Sequence, residues 1–110
     1  MEWFNSTLKP LYENGKVTPL AYQAMKDLLE EIGSKYRVSC FFTGPPERPE
    51  LHPIGFSYSR VKGLVAQVEI EGNGKVYVML VGEGISEGTS YSVTERQAAI
   101  SMARHLFSRA

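Results

Sequence analysis

With 110 residues the chain has room for one domain around a single modest core. Twelve Lys and Arg balance twelve Asp and Glu, so no global field draws it to nucleic acid or to an acidic membrane, and any such contact has to be local. One cysteine excludes an internal disulfide, no apolar run is long enough to span a bilayer, and the N-terminus carries no signal-peptide pattern; together these predict an intracellular location, cytoplasmic or nuclear, with no membrane partner.

Residues 1–12 form an apolar arm carrying Trp3, Phe4, Leu8, Leu11 and Tyr12, interrupted by Pro10. Burying one large aromatic stabilises by about 1.5 to 3 kcal/mol, so the arm is expected to order itself against its own domain or a neighbour. Glu13-Asn14-Gly15-Lys16 reads as a turn, which makes residues 1–17 an N-terminal extension to a domain over residues 18–110. Thr18 is placed to cap a helix, with Pro19 at the first helical position, where its missing N–H costs nothing. That helix runs over residues 19–32, buries Leu20, Ala24, Met25, Leu28 and Ile32, and stops at Gly33. Glu30 and Glu31 oppose the dipole at its end.

Residues 35–43, rich in β-branched and aromatic side chains, read as the first strand and include Cys40. Three prolines then keep residues 44–49 out of any ladder or helix. Between residues 50 and 63 the stretch 56–61 alternates like a short strand, or else simply lengthens the loop. Val65, Val68 and Ile70 lead into Gly72-Asn73-Gly74 and residues 75–81 lead out, a hairpin pattern whose turn residues tolerate positive φ. Gly82-Glu83-Gly84 ends the strand, and residues 85–93, with Ser86, Thr89, Ser90 and Ser92, read as a polar mobile link. A last helix over residues 94–107 turns Ala98, Met102, Ala103, Leu106 and Phe107 to the core. The order predicts an α+β fold with two helices on one face of a three-stranded antiparallel sheet.

Nothing in the chain composes a catalytic or metal site. Cys40, His52 and His105 share no short ligand motif, and Gly82-Glu83-Gly84 lacks the rest of a nucleotide-binding fingerprint. His105, near the end of the last helix, suits a favourable C-terminal charge or a packing residue. The expectation is a non-catalytic protein without cofactor or metal.

Thr18-Pro19, Met25-Lys26-Asp27-Leu28, Gly44-Pro45-Pro46, Gly74-Lys75-Val76-Tyr77, Gly82-Glu83-Gly84 and the helix over residues 94–107 occur in an order that resembles the double-stranded-RNA-binding domain. The likeness covers roughly residues 18–108 and implies its α-β-β-β-α topology. A-form RNA hides its bases in a deep, narrow major groove, so that family reads shape and sugar hydroxyls across two minor grooves and clamps the phosphates between them. The resemblance implies three patches. On the first helix Gln23, Lys26 and Asp27 would meet a minor groove. In the loop after the first strand the family presents Gly-Pro-x-His, whereas here Glu47 follows Gly44-Pro45-Pro46 and His52 stands later, before Phe56. At the last helix the family carries a run of lysines, and this chain has Glu95, Arg96 and Ala99, so Arg96 alone keeps a positive charge.

Two functions follow from the resemblance. The leading one is weak, shape-based, sequence-independent binding of double-stranded RNA through Gln23, Lys26, Asp27, His52 and Arg96. The other is a protein-interaction or dimerisation version of the same fold in which RNA binding is lost; zero net charge and the missing lysines favour it.

Overall fold

The computed structural model describes residues 4–42 and 54–110, so Trp3, the proline-rich stretch 44–49 and His52 lie outside the described residues. A short π-helical turn, Phe4–Leu8, runs into helix α1, Lys9–Glu13, with Pro10 tolerated in its first turn. Leu8 is fully buried and Tyr12 stacks on Tyr22 at 4.1 Å, so this part of the extension packs on the domain. Gly15, at φ +72, turns the chain back.

Helix α2 covers Pro19–Ile32. The Thr18 hydroxyl accepts from the Ala21 N–H at 3.2 Å and donates to the Gly72 carbonyl at 2.5 Å, so one side chain caps the helix and ties its start to a distant turn. Gly33 closes the helix in a right-handed conformation, φ −65, rather than the left-handed one common at such ends. The Lys35 and Tyr36 N–H groups both turn back to the Ile32 carbonyl. That is why the first strand, β1, is only Ser39–Phe42 and does not begin at Lys35.

Four more strands follow: β2, Ile54–Tyr58; β3, Leu64–Ile70; β4, Val76–Gly82; β5, Ile85–Tyr91. They form an antiparallel meander in the order β1-β2-β3-β4-β5. The fold is α+β, with two strands more than the sequence predicts. One extra strand is β2, which begins at Ile54 and takes in only residues 56–58 of the alternating stretch 56–61. The other corrects the reading of residues 85–93 as a mobile link: Glu83-Gly84, with Gly84 at φ +75, makes a two-residue turn that lays Ile85 against Gly82 and zips β5 along all of β4. Backbone pairing, not apolar content, makes that segment a strand. The β3–β4 turn puts only Gly74, at φ +85, in the left-handed region; Asn73 instead accepts from the Lys75 N–H through its side chain.

Helix α3, Arg96–Arg109, closes the fold. It lies across β3, β4 and β5 and beside α2, while α2 contacts β2 and β3. Both helices cover one sheet face, where Ile54, Phe56, Ala66, Val68, Ile70, Val76, Val78 and Leu80 join their apolar residues in one core. Phe107 stands at the centre of an aromatic cluster with Phe56 at 5.7 Å, Tyr36 at 5.9 Å and Tyr58 at 6.2 Å.

Both helices are rotated slightly from the predicted stripe. On α2, Leu20 is 47% exposed, and Ala21 and Leu29 are buried along with Ala24, Met25, Leu28 and Ile32. On α3, Ala98 is exposed and Met102 half-buried, while Ala99 and Ile100 face the core with Ala103, Leu106 and Phe107. Each helix borders three things at once, the sheet, the other helix and solvent, so the buried arc is wider than one stripe and its centre is set by packing. No helix among the described residues is long and apolar enough to cross a membrane.

Candidate interaction surface

Helix α2 carries acids at Asp27 and Glu31, one turn apart, on the flank it turns to α3; α3 answers with Arg96 and Arg104, two turns apart. Arg96 Nη1 donates to Asp27 Oδ2 at 2.8 Å, and Gln23 Nε2 donates to Asp27 Oδ1 at 2.8 Å. Arg104 bonds Glu31. Gln23, Asp27 and Arg96 therefore share one hydrogen-bonded surface, with half-buried Lys26 on the same helix. Three of the residues singled out for RNA do come together, but they satisfy one another.

The burial of this pair sets its character. Arg96 is 15% exposed and Asp27 32%. Arg96 Nε is buried with no hydrogen-bond partner, so the guanidinium is held inward by its contact with Asp27 rather than presented to solvent. A third arginine of α3, Arg109, grips Glu87 of β5 through two bonds of 3.0 and 2.7 Å. That bidentate contact holds the Glu87 carboxyl below its ordinary range and the Arg109 guanidinium above its own.

Glu95 stands at the N-cap of α3, but its side chain turns back to the preceding segment and caps no N–H of the helix. The Ser92 N–H donates to Glu95 Oε1 at 2.9 Å, and the Glu95 N–H donates to the Ser92 carbonyl at 3.0 Å, which closes the turn that leads into the helix. This hydrogen bonding holds the Glu95 carboxyl below its ordinary range. Ala99, at the third position compared with the family's lysines, is buried. His105 is exposed, and His52 lies outside the described residues.

Elsewhere the chemistry is sparse. Cys40 lines a cleft with Leu29, Glu30, Tyr36 and Arg37, and burial pushes its thiol up, away from a reactive thiolate. No cluster of three or more His, Cys, Asp or Glu suited to a metal occurs among the described residues. The ion pairs between α2 and α3 are what sequence reasoning missed. Their signal was present in the acid spacing 27, 31 and the arginine spacing 96, 104, each bordering an apolar stripe. No family model, no curated protein and no solved structure matches the chain.

Proposed function

We propose that this chain is a non-catalytic interaction module, an elaborated relative of the double-stranded-RNA-binding architecture, whose partner is a protein and whose RNA-gripping surface is closed by internal ion pairs. The observation that carries this reading is the state of the α3 arginines: Arg96, Arg104 and Arg109 are each engaged by an acid on a neighbouring element. A phosphate arriving at Arg96 would have to displace Asp27, and at the helix N-terminus it would meet Glu95. Each neutralised phosphate contributes about 0.9 to the salt slope on a duplex, so a surface with few free cations retains little of the electrostatic term that dominates such binding. The succession of a capped helix, an antiparallel meander and a closing helix on the same face supports the architectural part of the reading.

A labelled RNA duplex longer than about 16 base pairs, the span of such a domain, tests it by fluorescence anisotropy at low salt. The native chain is expected to show no saturable binding, and the double substitution Asp27→Ala with Glu95→Lys to create some, with a steep salt dependence. Saturable binding by the native chain that Arg96→Glu weakens for every duplex sequence would reverse the conclusion. That outcome belongs to the second reading, weak duplex-RNA binding, which the shared surface of Gln23, Lys26, Asp27 and Arg96 favours.

A further inference from the structure

We propose that the open edge of β5 pairs antiparallel with β5 of a second copy of this chain, with the two-fold axis passing at Gly88. This deepens the protein-interaction reading and rests on it, naming the partner and the strand that meets it. β5 is the last strand of the sheet, and no strand among the described residues covers its outer edge. The two-residue turn makes Gly82 and Ile85 a hydrogen-bonded pair, and the ladder alternates from there. The N–H and C=O groups of Ser86, Gly88 and Ser90 consequently point away from β4, and residues 86 to 90 are all exposed.

Natural edges are blunted with lysine, proline, bulges or inward charge, because an unblunted edge is a template for another strand. β5, with the sequence Ile-Ser-Glu-Gly-Thr-Ser-Tyr, has no lysine and no proline, and its register against β4 runs without a bulge. Its single charge, Glu87, is already neutralised by Arg109.

Symmetry selects a second copy as the occupant. In an antiparallel pairing about Gly88, Gly88 faces its own equivalent, Glu87 faces Thr89, Ser86 faces Ser90 and Ile85 faces Tyr91, so no like charges meet. Because the groups of residues 86, 88 and 90 all point outward, the same register also aligns every open donor with an acceptor. The net charge of zero leaves no long-range repulsion between copies. On the helix side the edge continues into a groove lined by Glu87, Thr89, Met102, His105 and Leu106, which the second copy would flank.

Sedimentation equilibrium across a range of concentrations, joined to amide exchange of β5, tests the pairing. The native chain is expected to dimerise reversibly, with the Ser86, Gly88 and Ser90 amides gaining protection as concentration rises. Gly88→Lys sets two ammonium groups against each other at the axis; in the monomer its Cβ meets nothing closer than 3.5 Å, so folding is retained. Ser90→Pro removes an outward donor without touching the β4 ladder. Both variants are expected to stay monomeric and to melt, at every concentration, as the native chain does when dilute enough to be monomeric. A native chain that remains monomeric, a dimer that survives Gly88→Lys, or β5 protection that appears only when another protein is added would each overturn the proposal. Duplex-RNA binding by the monomeric variants would instead remove the interaction reading itself, so the two failures are told apart.

Discussion

Along β3 and β4 neighbouring residues live in two different environments. Ala66, Val68, Ile70, Val76, Val78 and Leu80 are closed to solvent beneath the helices, while Val65, Gln67, Glu69, Tyr77, Met79 and Val81, alternating with them, are half-buried or exposed. The outer row is apolar in places and also makes local polar contacts: Gln67 donates to Glu69 at 2.7 Å, and the Lys75 ammonium sits 5.1 Å over the Tyr77 ring. Alternation therefore distinguishes the faces, and packing, not composition, decides which of them holds the fold together. The inner face joins distant parts of the chain into one core, whereas α2 and α3 leave the outer face uncovered.

The sharpest way to break that comparison is to truncate one residue on each face. Phe107→Ala is expected to cost about 3 to 5 kcal/mol in denaturant unfolding, since it empties the centre of the aromatic cluster, while Met79→Ala should stay within about 0.5 kcal/mol. Equal costs would mean that something covers the outer face in solution.

Gly55 marks the boundary of the rule. It lies on the outer face but is buried, and a Cβ there would stand 1.9 Å from the Val68 carbonyl oxygen and 2.8 Å from the Phe41 ring. Gly55→Ala should destabilise by about 1 to 3 kcal/mol through overpacking, far more than a solvent-facing position normally shows. A neutral result would place the freedom of the outer face even closer to the backbone.

Thr18→Ala probes how the inner layer is fastened at its rim. Losing the cap and the bond to Gly72 should lower the melting free energy by about 1 kcal/mol. Thr18→Ser, which keeps the hydroxyl, should recover most of it.

The smallest effect is electrostatic and lies at the edge of the sheet. Glu87 and Glu95 are held below the ordinary glutamate value of 4.5, so the unfolded chain takes up protons first as pH falls. Their contribution is present above that value and is lost as pH drops through the folded values, so stability should decline between about pH 5 and pH 3. In Glu87→Gln the decline should be shallower, as read from melting curves across that interval.

How far the sequence reached follows from the range of the forces involved. The start of α2 at Thr18-Pro19, its length to Ile32, the β3–β4 hairpin and the helical nature of α3 were legible, because caps, turn glycines and periodic apolar residues act between near neighbours. Strand β5 was not, since its serines, glycine and threonine carry no strand pattern and become one only when β4 offers a ladder. Nor was the condition of Arg96: sequence identified it as a lone cation, and only the packing of α3 beside α2 brought Asp27, 69 residues away along the chain, to within 2.8 Å of it. The sequence by itself determined which segments turn, coil and alternate. The tertiary structure decided which charges are paired within the fold, because ion pairing between elements depends on where packing finally sets two helices side by side.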